Sequence, residues 1–261
     1  MMIPHGPDQP GRNTVLQPEQ APGWLGPLIG KMSIGRVRHH PDIRGVDAQA
    51  TRFTPPAESR GRTLPEAAVL MLFAGTEDPG DPVRLPDDAT VLLTHRSPSM
   101  RSHSGQIAFP GGRIDPTDRN PVDCALRESW EETGLDRRTV APLAELEAVH
   151  IRASGYPVPP ILGHWHTPSP VGVVSPEEAD EVFEAPLAEL IDPANRIMLG
   201  RGAWRGPAFR THGYVVWGFT AGLLSAMLHQ SGWAQPWDRA TTLDLNEVLA
   251  SSRNNEVLRE A

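Results

Sequence analysis

The run Ala67 to Ala74 (AAVLMLFA) is apolar at every position, the pattern of a short strand buried on both faces. Thr90 to Thr94 (TVLLT) reads as its hairpin partner, reached through the turn-rich segment TEDPGDPVRLPDDA. Farther on, Leu146, Ala148, His150 and Arg152 alternate with Glu145, Glu147 and Val149, as in a strand with two unlike faces. A further strand falls around Pro160 to His166, where His164 and His166 would share a face. Another begins at Val182 and Phe183, with Pro186 opening a short helix. Gly206–Pro207 carries turn chemistry and predicts a hairpin between GAWR and AFRTHGYVVW. Trp217 to Leu228 (WGFTAGLLSAML) has helical apolar spacing and can cover one face of a sheet.

The flanks are less regular. Residues 1 to about 20 are polar and proline-rich, the composition of a mobile segment. Trp24, Leu25, Leu28 and Ile29 form an apolar cluster at helical spacing, limited to a turn or two by Pro22, Gly26 and Pro27. Such a cluster docks either on the main domain or on a second copy of the chain, which leaves a homodimer open. The His39–His40 pair has no carboxylate or cysteine at ligand spacing and reads as loop. LDLNEVL, after Asp238, predicts a short exposed helix. The expected division is therefore an N-terminal extension over 1–62, partly mobile, a main domain over 63–238 and a tail over 239–261.

The clearest local punctuation lies in Gly111 to Leu135, GGRIDPTDRNPVDCALRESWEETGL. Asn120 can N-cap a helix, Pro121 suits its first position, Asp123 falls where a capping-box acid would lie, and Gly134 supplies a left-handed stop. Val122, Ala125, Leu126 and Thr133 form a stripe that turns toward a core. Glu128, Glu131 and Glu132 fall at i, i+3 and i+4, so three carboxylates share another face. Such a trio is either a solvated acidic face or a site for a hard divalent cation, since carboxylate oxygens are what magnesium and manganese prefer. The carbonyl of a nearby glycine can join such a shell, and Arg127 can hold the Glu128 carboxylate.

Composition narrows the partners. The 261 residues carry a formal net charge of −8, which disfavours nucleic acid as the main partner. An anionic small molecule would have to be held by local basic groups and metal. The single cysteine, Cys124, allows no internal disulfide and suits a reducing cytoplasm. No apolar run approaches the roughly 20 residues that span a bilayer, and the N-terminus lacks the regions of a signal peptide. A cytoplasmic location without a membrane partner is the expectation.

Gly112, Arg127, Glu128, Glu131, Glu132, Gly134 and Leu135 match the box of the Nudix hydrolase family, G-x5-E-x7-R-E-U-x-E-E-x-G-U with U aliphatic. The chain departs from it at three points. Asp118 stands where the first glutamate belongs, the spacer after it is one residue longer, and Ser129 replaces the aliphatic residue. The preceding run LLTHRSPSMRSHSGQIAFPGG, Leu92 to Gly112, resembles the signature of the family's coenzyme A pyrophosphatase branch. Leu92, Leu93, Thr94, Arg96, Ser97, Arg101, Gly105, Phe109, Pro110, Gly111 and Gly112 fit it without a gap. That branch is similar in carrying the Asp and the longer spacer.

The resemblance implies an α/β Nudix fold, a mixed β-sheet sandwiched between helices. It implies metal-dependent hydrolysis of the diphosphate of coenzyme A, acyl-CoA or oxidised CoA, with ADP-ribose, NADH or a nucleoside triphosphate as alternative substrates. A domain that binds nucleotide or CoA without turnover is the third alternative. The Gly112 carbonyl, Glu128, Glu131 and Glu132 would hold Mg2+ or Mn2+, and Arg127 would position Glu128. In the resembled branch the acidic segment SPEEADEVFEAPL approaches the metal. Its Glu178 and Glu181 are candidates for the general base or an added metal ligand, with Glu181 counted among the metal ligands, and either Glu178 or a box glutamate such as Glu128 would remove the water proton. Arg96 and Arg101 are the local cations for phosphate.

Overall fold

The computed structural model describes residues 13–32, 67–100, 102–150 and 157–256. His39, His40, Arg101, Arg152 and the expected domain boundary near residue 63 lie outside them. Strand β1 (Ala67–Ala74) alternates as a doubly buried strand must. Ala68, Leu70, Leu72 and Ala74 enter one core, while Met71 and Phe73 enter another. β2 (Thr90–Arg96) is its antiparallel hairpin partner, in the register Phe73↔Val91. Seven of the described strands make one mixed sheet. Its path runs from β3 (Ile107–Ala108) through β2 and β1 to β8 (Pro160–Trp165) and β5 (Val140–Glu145). β4 (Gly111–Arg113) pairs with β1, β9 (Ala179–Pro186) with β2, and the β1–β8 pair is parallel. β6 (Val149–His150) and β7 (Pro157–Val158) form a separate short ladder.

Helices cover both faces. α2 (Pro121–Thr133) places Val122, Ala125 and Leu126 against Leu70, Leu72 and Leu92. On the opposite face, α1 (Gly26–Met32) and α4 (Gly218–Ser231) share a core with Phe73, Leu93 and Leu162. α4 is buried on nearly every side, as an almost wholly apolar helix requires. This is the expected sandwich of a mixed sheet between helices.

The N-terminal cluster docks on this body. Trp24, Leu25 and Leu28 are fully buried, each worth roughly 1.5–3 kcal/mol of transfer free energy. The chain before them is tied to the rim of the sheet, with Asn13 Nδ2 donating to the Val140 carbonyl at 2.7 Å and Gln17 N to the Pro142 carbonyl at 2.7 Å. Residues 13–20 are thus anchored by hydrogen bonds that no local pattern announces, in place of the mobile stretch expected for them.

α3 (Leu187–Ile191) follows β9 directly, as Pro186 predicted. A second sheet then runs β12 (Tyr214–Val216), β11 (Trp204–Thr211), β10 (Arg196–Arg201) and β13 (Thr242–Asp244). Here the hairpin expected at Gly206–Pro207 is wrong. Both residues lie within β11, opposite Leu199 and Met198, and the turns fall at 202–203 and 212–213. Gly202 and Gly213 supply the positive φ those turns need. Pro207 lies beyond the β11–β12 ladder, which starts at Phe209↔Val216, so one of its flanks has no partner strand to receive an N–H. The tail is not a simple appendage either. β13 pairs with β10, and α5 (Leu245–Ala250) buries Leu245 and Leu249.

Candidate active site

α2 forms where its ends are punctuated. The Asn120 side chain accepts from Asp123 N at 2.9 Å, Pro121 opens the helix, and Gly134 closes it at φ 73°. Asp123 accepts from Arg119 N and from Arg137 Nη2 at 2.8 Å, the latter a buried ion pair that fixes the start of the helix. Ser129, the polar intruder in the box, is fully buried, and its hydroxyl donates to the Ala125 carbonyl at 2.6 Å. The departure is absorbed inside the helix and leaves the carboxylate face untouched.

That face carries a gradient of exposure. The Glu131 side chain is 37% exposed, Glu128 is 17% exposed, and Glu132 is buried. Arg127 ties the outer two together, with Nη1 at 2.9 Å from Glu128 Oε1 and 3.0 Å from Glu131 Oε2. Its other edge grips Asp118, Nε to Oδ1 and Nη2 to Oδ2, both at 2.8 Å, and Nη2 also donates to the Arg113 carbonyl. Asp118 therefore anchors the arginine, a role that sequence reading noted as a departure and did not assign. The parallel fork needs an acid that reaches back from the loop before α2, and the longer spacer is the signal that could have suggested it.

Glu132 lies deepest. Burial pushes its carboxyl up to about 8, against the pull of the Arg96 charge and a hydrogen bond from Gly111 N at 3.2 Å. Glu128 and Glu178 add to the rise through like-charge repulsion. Burial likewise raises Glu128, offset in part by Arg127. The two glycines before the helix are required by close approach. A Cβ on Gly112 would meet the Glu128 carboxyl carbon at 2.4 Å, and one on Gly111 would meet the Ala68 carbonyl at 2.3 Å. The Gly112 carbonyl faces Cys124 Sγ at 3.5 Å, and burial drives that thiol up to about 12.

The expected residues outside the box separate by sheet face. Arg96, at the end of β2, lies on the α2 side near Glu132, and its Nε is buried without a hydrogen-bond partner among the described residues. Glu178 approaches the same place, with its carbonyl accepting from Ser97 N at 2.9 Å. Glu181 does not. It occupies β9 opposite His95, alternating with Val182, which packs on the α2 side. Its carboxylate is held by Arg253 at 2.7 Å and by the Tyr214 hydroxyl at 2.5 Å, so the structure brings it to the C-terminal segment and away from the trio. The two histidines of the Pro160–His166 strand are also remote from the trio. His164 lies beside Trp24 under the N-terminal segment, and His166 is exposed.

As the side chains stand, no group of three carboxylate, histidine or cysteine ligands converges on a metal-binding point among the described residues. Arg127 holds Glu128 and Glu131 to itself. The donor chemistry still suits a hard cation. Glu128 and Glu132 are acidic groups held near each other in a desolvated place, and a positive charge there relieves both burial and repulsion.

A family model described as the NUDIX domain matches residues 51–205, more than half of the chain. The chain belongs to the Nudix hydrolase family. Among its relatives is a protein named uncharacterized Nudix hydrolase NudL from Photorhabdus laumondii, 33% identical over 185 residues, which cover 69% of this chain and 91% of that protein. The protein of the same name from Klebsiella pneumoniae is 34% identical over 178 residues, covering 64% and 83%. A Nudix hydrolase from M. smegmatis, RenU, has a solved structure that superposes with a TM-score of 0.44 at 18% identity, covering 67% of this chain and 89% of that one. This Nudix domain is thus an enzyme of a family that hydrolyses nucleoside diphosphate derivatives. Its box helix, its two glycines and its acidic face occupy the part of the fold described above.

Proposed function

We propose that this Nudix hydrolase cleaves the diphosphate of coenzyme A, or of an acyl or oxidised derivative, to 4′-phosphopantetheine and adenosine 3′,5′-bisphosphate. The observation that carries the reading is the placement of Arg96. It belongs to the stretch Leu92 to Gly112 that resembles the CoA pyrophosphatase signature, and its partly unpaired guanidinium lies beside the buried end of the carboxylate trio. A guanidinium there can grip a phosphate oxygen with directed hydrogen bonds.

Glu128, Glu131 and Glu132, with the Gly112 carbonyl, would hold Mg2+ or Mn2+. When bound, such an ion neutralises phosphate charge and makes a bound water more acidic. The chain's own groups do the rest. Arg127, fixed by Asp118, orients Glu128 and tethers Glu131. Glu178, near Glu128 and Glu132 and on the loop beside Ser97, would take a proton from the attacking water. Arg96 holds the diphosphate, and Arg101 is assigned the 3′-phosphate.

The deciding experiment is a substrate panel of CoA, acyl-CoAs, ADP-ribose and NADH with magnesium, the products identified by mass. Cleavage of CoA compounds in preference to the others is expected. Cleavage of ADP-ribose or NADH with little turnover of CoA would sink the substrate assignment and leave the family membership intact.

A further inference from the structure

The branch-specific loop contains a glycine that the reaction itself does not use. Gly105 has φ +74°, and a Cβ there would lie 2.4 Å from the Asn254 carbonyl oxygen and 2.9 Å from Glu256 Cα. The backbone of a distant segment passes directly over it. That segment is built into the fold. Asn254 is fully buried, and its amide is saturated: Oδ1 accepts from Val215 N at 2.8 Å, while Nδ2 donates to the carbonyls of Gly105 at 2.9 Å and Val215 at 3.1 Å. The Asn254 carbonyl accepts from His95 Nε2 at 3.0 Å, and His95 Nδ1 faces Asp180. Two residues on, Glu256 accepts from Gln106 Nε2 at 2.7 Å and from Trp217 Nε1 at 2.8 Å.

The residues clamped in this way are the ones that hold Arg96. Arg96 N donates to the Gln106 carbonyl, and Gly105 N donates to the Arg96 carbonyl, both at 2.9 Å. These two bonds form a neck that joins Arg96 to Gly105 and Gln106. On the other strand of contact, His95 reaches Asp180, two residues after Glu178, and Ser97 N reaches the Glu178 carbonyl. One C-terminal segment therefore bears on both the phosphate-side arginine and the loop of the candidate base, without touching either side chain.

We propose that Asn254 and Glu256 are positioning residues of the active site. Asn254 acts through Gly105 and His95, and Glu256 through Gln106, to fix the backbone from which Arg96 projects and to set the approach of the Glu178 loop. This rests on the reading of Arg96 as a phosphate-binding group. It assigns the C-terminal segment a part in substrate binding and gives Gly105 its reason, since only glycine admits the clamp.

The test compares wild type with Asn254→Ala and Gln106→Ala in the full chain, with KM, kcat and Tm measured for each. The substrate is whichever diphosphate the wild type cleaves from the panel of CoA and ADP-ribose. For Asn254→Ala, KM is expected to rise about tenfold with kcat within about a factor of two, at temperatures well below its Tm, as loss of substrate binding requires. Gln106→Ala, which cuts the tie to Glu256 together with the Gln106 Oε1 contact to His103 Nδ1, is expected to raise KM by about threefold with little change in Tm, a loss of about half the tenfold equivalent of 1.4 kcal/mol. A lowered Tm with unchanged KM in both variants would mean a merely structural clamp and overturn the proposal. If Asn254→Ala fails to fold, Gln106→Ala decides alone: a raised KM supports positioning and a wild-type KM overturns it. A wild type inactive on every diphosphate would instead defeat the functional reading on which the proposal stands.

Discussion

Arg127 and Asp118 meet in a parallel fork, Nε to Oδ1 and Nη2 to Oδ2, each at 2.8 Å, with the acid's side chain 2% exposed. Lysine cannot reproduce this geometry, because an ammonium offers a point charge in place of a planar pair of donors. Arg127→Lys is expected to destabilise the protein by about 1.5–3 kcal/mol, the range for charge-assisted hydrogen bonds. Turnover should fall as well, since Glu128 and Glu131 lose their common tether. Urea unfolding and steady-state kinetics check this; unchanged stability and rate would show that the fork is incidental.

Glu132 gives the metal prediction. Glu132→Gln should retain substrate binding when metal is abundant and lose orders of magnitude in turnover, as removal of a catalytic ligand demands. Full turnover by this variant, or by wild type in excess chelator, would remove the metal mechanism.

The same carboxyl sets a pH dependence. Its folded value near 8 lies above the ordinary value of 4.5, so the metal-free protein holds a proton that the unfolded chain has released. That contribution to stability is complete below 4.5 and is lost as pH rises through 8. A cation requires the deprotonated group, so the rise in Tm on adding magnesium should grow across this window and flatten above it. Differential scanning fluorimetry from about pH 5 to 9 reads it directly, with 8 as the expected edge. In Glu132→Gln the trend should weaken, leaving the share contributed by Glu128, which burial also raises. A Tm increment independent of pH in wild type would dissociate Glu132 from the metal.

The two acids of the segment after β8 should behave differently. Glu178→Gln is expected to lower the maximal rate and spare the metal requirement. Glu181→Gln should weaken the contacts to Arg253 and Tyr214, and so lower Tm with little effect on rate. Equal, small rate effects from both would return the base role to the box glutamates.

Arg96 and Arg101 are separated by substrate. With Arg96 beside Glu132, Arg96→Ala should reduce efficiency on CoA and 3′-dephospho-CoA alike. Arg101→Ala should discriminate against CoA by about tenfold to a hundredfold, the equivalent of roughly 1.5–3 kcal/mol for one charge-assisted contact. Efficiencies on both compounds, with melting curves, decide; a wild-type ratio in Arg101→Ala would exclude that residue from the 3′-phosphate.

What was legible in the sequence was local. The caps of α2, the shared face of Glu128, Glu131 and Glu132, and the doubly buried β1 all follow from neighbours within a turn or two of chain. Glu181 was misplaced because two acids three residues apart look equivalent until a strand begins between them and assigns Glu181 a face. Gly206–Pro207 misled because turn chemistry is also tolerated where a strand loses a neighbour. Asp118 could be seen only as an irregularity until its arginine was in place. The Asn254 contacts were beyond reach, since His95 and Asn254 are 159 residues apart and neither carries a pattern naming the other.

That separation also imposes an order of assembly. A ribosome delivers the chain from its N-terminus, so β1, β2 and α2 are available to pack long before residues 254–256 exist. Until those arrive, the neck at Gly105–Gln106 lacks its overlying segment. A nascent Nudix core can therefore be compact while its substrate grip is unfinished, and the grip is completed only once residues 254–256 have been made.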